Sequence, residues 1–92
     1  ELAIVREKLP EIEHQLAVQV CRFIEAARKE SLQKVPGIAE TIDWAATLLT
    51  LHYDCLDEQI VMDTLGVVFK SHEDTVLMRH QIRQILSSLS AK

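Results

Sequence analysis

The chain has 92 residues, of which 48% are hydrophobic and 26% charged, and a formal net charge of −4. That length suits one small domain, which buries roughly 60–65% of the surface its unfolded chain would expose, and with only two Gly and two Pro the composition excludes a disordered or loop-rich chain. The acidic balance removes any global attraction to nucleic acid or anionic lipid, and no run approaches the ~18 apolar residues of a membrane span, so neither is expected as a partner.

Glu1 to Leu9 reads as a linker or a short helix that Pro10 interrupts. Pro10 suits the first turn of the next helix, where its missing N–H would be unpaired anyway. Ile12, Leu16, Val20, Phe23, Ile24 and Ala27 then recur at helical spacing, which predicts a helix from Pro10 to about Glu30. Arg22, Arg28 and Lys29 lie off that stripe, in the half of the helix where positive charge suits the macrodipole.

Ser31 to Gly37 reads as a linker, because Pro36 disfavours a helical Val35 and Gly37 can serve as the next N-cap. The following helix is apolar on a broad arc. Ile38, Ile42, Ala45 and Leu49 share one face, and Ala46, Leu48 and Leu51 widen it, which predicts a helix covered on most sides. From Ile38 to Tyr53 only Glu40 and Asp43 are charged, and both fall in the first turns, where the dipole favours them. Trp44 is expected at the core or its edge, with its indole N–H on a neighbour.

His52 to Leu56 reads as a turn. Asp57 is the next N-cap, with Leu56 and Val61 placed as a hydrophobic staple. A fourth helix to about Phe69 has Val61, Leu65, Val68 and Phe69 on its apolar side. Gly66 within it suggests a close helix–helix approach. Ser71 caps a fifth helix with Glu73 and Asp74 in its first turn and Met78, Ile82, Ile85 and Leu89 as its stripe. The tail 87–92, with Ser87, Ser88 and Ser90, is expected to fray. No segment alternates as a strand does, and the elements predict one all-α domain, a compact bundle of four main helices.

Chemistry-bearing patterns are scarce. The sequence holds no phosphate loop, dinucleotide fingerprint, nucleophile elbow or zinc-protease helix. His72 and His80 are eight apart, beside Arg79 and Arg83, which suits a solvated face and not a metal. His14 and His52 are isolated. Cys21 and Cys55 are far apart, so a disulfide or a metal pair is not expected, and Cys21 has no paired base nearby in sequence. Glu40 and Asp43 share a helix face as an acid–base pair would, though helix-start carboxylates explain them more simply. Arg22, Arg28, Lys29 and Lys34 converge before the break, either as a solvated face or as a phosphate-facing rim beside the helix start, and Glu40 works against the second reading.

The run "KVPGIAETIDWAATLL", followed by "LDEQIVMDTLGVVFKSHED" and preceded by "VCRFIEAARKESLQK", resembles the C-terminal lid of MoxR-type AAA+ ATPases over roughly Leu16 to Thr75. The resemblance implies a fragment, as the first residue, Glu and not Met, also suggests. It implies a helical lid without enzymatic activity of its own, from a cytoplasmic, chaperone-like parent that assembles or activates other proteins. ATP and Mg²⁺ would sit in a separate αβα core. Partners would be that core, neighbouring subunits of a hexameric ring and a von Willebrand A-domain protein. Lys34, Gly37, Glu40, Asp43 and Trp44 would face the nucleotide or the core, with Arg22, Arg28 and Lys29 as a basic rim, and the segment before Ala17 would act as a hinge. The sensor arginine usual at the start of such a helix is missing, and Glu40 stands in that turn, where it could hold a cation of the core or orient Lys34. A free-standing helical module for protein interaction is the alternative reading.

Overall fold

The computed structural model describes residues 1–90, and these form five α-helices. Helix α1 spans Leu2–Lys8, α2 His14–Ala27, α3 Ile38–Thr50, α4 Glu58–Val68 and α5 His72–Ser90. The all-α expectation holds, with four main helices and a short one before them. Among the described residues no helix is long and apolar enough to cross a membrane.

The four main helices close a square. Helix α2 packs on α3, α3 on α4, α4 on α5 and α5 back on α2, while the diagonal pairs stay apart. Their shared core holds Leu16, Val20, Phe23 and Ile24 from α2, Trp44 and Leu48 from α3, Val61 and Leu65 from α4, and Met78 and Ile82 from α5, all essentially sealed from solvent. Phe23 and Trp44 meet edge to face with ring centroids 5.3 Å apart, a geometry that puts the positive ring edge on a negative ring face. Helix α1 lies outside the square, against α2 and α3 only, and inserts Val5 as its one fully buried side chain.

Both ends of α2 depart from the sequence reading. Pro10 lies in a turn and α2 begins four residues later, at His14. Ile12 is still buried, but as part of that turn. At its other end α2 stops at Ala27, short of Glu30. Helix α5 runs through Ser87 and Ser88 to Ser90, and residues 91–92 of the tail expected to fray lie outside the described residues.

Helix α3 is rotated relative to expectation. Its buried face is Thr41, Trp44, Ala45 and Leu48. Ile38 is 39% exposed and Ile42 only partly buried. Bulk explains the choice, since sinking Trp44 removes more apolar surface from water than sinking Ile38. The polar groups carried inward are satisfied: the Trp44 Nε1–H donates to Thr64 Oγ1 at 2.8 Å, and Thr64 donates in turn to the Ile60 carbonyl at 2.8 Å. Gly66 also departs, because a Cβ there would meet nothing within 4 Å, so no close helix approach explains it.

The crossing from α3 to α4 is built locally. His52 adopts φ 66, the left-handed region, just beyond the α3 C-cap Leu51. The His52 N–H then reaches the Leu49 carbonyl at 3.0 Å and the Tyr53 N–H the Leu48 carbonyl at 3.1 Å, which is the Schellman closure of a helix. Asp57 Oδ1 accepts from the Ile60 N–H at 2.8 Å. Leu56 and Val61 are both buried beside this cap, as a staple requires. Gln19 of α2 anchors the loop by accepting from the Leu56 N–H at 2.8 Å.

Candidate functional site

The sequence points to the entrance of α3, and the structure shows how that entrance is held. The connection from Arg28 to Gly37 has no regular structure. Backbone turn bonds from Lys29, Glu30 and Leu32 shape its start, and side chains hold the rest. Asp74, in the first turn of α5 and only 2% exposed, turns its carboxylate onto the connection. Oδ1 accepts from the Gln33 N–H at 2.8 Å and Oδ2 from the Lys34 N–H at 2.9 Å. Both oxygens thus serve backbone donors, a charge-assisted pair stronger than a neutral one. The Gln33 side-chain amide also reaches Glu73.

On the other side Arg28, the C-cap residue of α2, donates from Nε to the Pro36 carbonyl at 2.9 Å. Its guanidinium fork grips the Glu1 carboxylate, with Nη1 to Oε1 at 2.8 Å and Nη2 to Oε2 at 2.7 Å. The Thr41 hydroxyl lies 3.0 Å from Glu1 Oε2. The bond from Arg28, with that from Thr41, holds the Glu1 carboxyl below its ordinary range. The same bond raises the Arg28 guanidinium.

Gly37 is the N-cap of α3, in extended backbone. Glu40 Oε1 accepts from the Gly37 N–H at 2.9 Å. This is one half of a capping box, because Gly37 has no side chain to return the bond. Chiefly this backbone bond lowers the Glu40 carboxyl, and the charge of Lys70 adds to the effect. A carboxylate therefore already occupies the first turn of α3, and it repels phosphate. The residues present do not fit a phosphate-binding helix start, and the phosphate-facing reading of this rim is not supported. Glu40 is a cap, committed to its own backbone.

The candidate residues separate into two groups. Lys34, Gly37 and Asp43 are exposed around the α3 entrance, with Glu40 half-buried beside them. Val35, 58% exposed, and Ile38, 39% exposed, form an apolar ridge at the same place. Trp44 does not belong there, since it is fully buried inside the square and cannot face a nucleotide or another domain. Arg28 is no free rim cation, because its fork is spent on Glu1 and Pro36. Arg22 and Lys29 are exposed and border a groove with Ser88 and Leu89 of α5. Arg22 thus shares one groove with Arg28 and another with Lys29, with the Arg28 fork held by Glu1.

Among the described residues, no His, Cys, Asp and Glu side chains form a group of three able to hold a metal. His14 and Cys21 line one open groove of about 640 Å³. Burial, with Glu1 adding to it, pushes the Cys21 thiol up, the reverse of an activated nucleophile. Cys55 is likewise raised, first by burial, and both cysteines are free. What the entrance offers chemically is a fixed backbone with an exposed apolar ridge, flanked by charges of both signs. Sequence reasoning missed Asp74, Glu1 and Thr41, whose partners lie about 40 residues away. No protein-family model, curated protein or solved structure matches the chain.

Proposed function

We propose that the chain is the C-terminal helical lid of a MoxR-type AAA+ ATPase, and that the α3 entrance is the edge it turns towards the ATPase core. The observation that carries this reading is the ridge of Val35 and Ile38. Both are exposed, yet they sit on a segment clamped from two sides. A fixed backbone under exposed apolar side chains suits a surface that is covered in the larger protein. The sequence run that resembles the lid family is the run that builds this edge.

In this reading the lid contributes no ligand to the phosphates. Glu40 closes the α3 start to anions, and the chain holds no phosphate loop. ATP and Mg²⁺ are held by the core, and hydrolysis belongs to the parent. The lid works by conformation: it closes on the nucleotide-bound core and passes that state to neighbouring subunits of a hexameric ring. Lys34, Asp43 and the exposed ridge are the contact residues, while Trp44 and Arg28 act inside the domain. The chaperone-like task of the parent, its cytoplasmic location and its von Willebrand A-domain partner follow from the same family reading.

The test uses the gene's full reading frame. Ile38→Asp and Val35→Asp each place a charge where an interface would be dry. Each should lower the ATPase rate about tenfold, the effect of losing one buried apolar contact. The isolated domain should keep its stability within about 0.5 kcal/mol, since both positions are exposed in it. An unchanged ATPase rate in both variants overturns the reading.

A further inference from the structure

Gly66 lies inside α4, exposed, with open space where a Cβ would stand. Glycine weakens a helix interior relative to alanine, and no other helix of this chain comes close enough to require it. It leaves a notch in the outer face of α4 that nothing in the chain fills.

The neighbouring helix carries a matching projection. Arg83 reaches Glu58 at 3.3 Å, and the Thr75 hydroxyl reaches the Phe69 carbonyl at 3.4 Å. These two contacts fix α4 and α5 as antiparallel neighbours, and counting inward from them puts Val76 level with Gly66. Val76 is 38% exposed. An apolar side chain thus stands out beside an empty notch.

The charges of this face are sorted by helix. Helix α4 carries Glu58 and Asp63 and no Lys or Arg, whereas α5 beyond its first turn carries Arg79 and Arg83 and no carboxylate. All four are exposed. Such a face is complementary to itself. A two-fold axis along the seam between α4 and α5 lays each α4 over the α5 of a second copy, at the same level along the helices. Glu58 then meets Arg83, Asp63 meets Arg79, and Gly66 meets Val76, each twice by symmetry. Like-signed strips are kept apart.

We infer that the α4–α5 face is the interface of a symmetric dimer, in which Val76 of each copy seats in the Gly66 notch of the other and the acidic α4 lies on the basic α5. The inference does not rest on the lid reading, and the Val35–Ile38 ridge lies outside this face.

Two helices per copy make a small interface, so a Kd of about 10–100 µM is expected. Sedimentation equilibrium of the chain, from about 5 µM to about 1 mM, reads it directly. Val76→Asp and Gly66→Leu should each weaken association more than about tenfold. Gly66→Ala separates the two roles of the glycine. In dilute solution it should raise Tm by roughly 4–8 °C, because alanine suits the helix better, yet weaken the dimer about threefold. Arg79→Glu should also weaken it, and adding Asp63→Arg should recover most of the loss, since the swap restores the opposed charges. A chain that stays monomeric at about 1 mM overturns the inference. So does a dimer that Gly66→Leu and Val76→Asp leave intact, or one that Val35→Asp abolishes while those two do not.

Discussion

The two connections that flank α3 solve the same problem by different means. After α3, the chain turns within a few residues, using His52 in the left-handed region, the Tyr53 and His52 backbone bonds, and the Asp57 cap. Before α3, local backbone turns reach only to Leu32, and the stretch from Gln33 to Pro36 depends on Asp74 and on the Arg28 side chain. The first connection is closed mainly by its own residues, with Gln19 of α2 as its one distant side-chain anchor. The second is completed only once α5 has docked, because Asp74 lies some 40 residues away from the amides it holds. The α3 entrance is therefore set by the packing of the whole domain.

Variants on the two sides should separate these mechanisms. The largest effect is expected from Asp74→Ala, which strips two backbone donors of a buried carboxylate at once. It should cost about 2–3 kcal/mol in chemical denaturation, and exchange at Gln33 and Lys34 should quicken more than anywhere in α4. Asp74→Asn keeps one acceptor and should cost about half as much. An Asp74→Ala domain as stable as the parent would mean that the connection holds itself.

On the local side, Asp57→Ala removes a single cap bond and should cost about 1 kcal/mol. His52→Gly should stabilise, by about 0.5–1 kcal/mol, because glycine enters the left-handed region without the Cβ penalty that His52 meets. For a domain of this size that is a Tm rise of roughly 3–6 °C. A smaller gain, a few tenths (~0.3 kcal/mol), is expected from Gly37→Ser, which supplies the missing half of the α3 capping box. A Cβ there lies 3.4 Å from Glu40 Oε1, close but tolerable.

Acid should sharpen the contrast further. Glu1 and Glu40 are both lowered in the folded chain, Glu1 chiefly by Arg28 and Glu40 chiefly by the Gly37 N–H. Their stabilisation is complete above the unfolded carboxylate range and fades as the pH falls through the lowered folded values, below about pH 4. Glu1→Gln and Glu40→Gln should therefore be less stable than the parent near neutrality, and the gap should close on acidification. Thermal melts from pH 7 to pH 3 read this directly.

The same division decides what was legible in the sequence. Caps and staples such as Gly37, Asp57, Leu56 and Val61 are short-range patterns, and they stand where the sequence places them. The stripes of α2, α4 and α5 were readable because one face of each is plainly apolar. Helix α3 was not, since its apolar arc is broad enough for more than one buried face. The fully buried Trp44 and Thr41 set the rotation, and the partners of their polar groups, Thr64 and Glu1, lie in other segments. Pro10 misled for a similar reason: it suits a first helical turn, but Ile12 anchors the turn around it instead. In the candidate site, Lys34 and Gly37 were readable as linker and cap. The duties of Asp74 and Arg28 were not, because an aspartate in a first turn and an arginine at a helix end look alike whether they face solvent or clamp a distant backbone.

The lid assignment itself is tested most directly by titrating Mg-ATP calorimetrically into this chain and into the gene's full reading frame. Silence from the chain, together with tight Mg²⁺-dependent binding by the longer protein, is the expected result. Tight binding by the chain alone, or silence from both, would contradict the assignment.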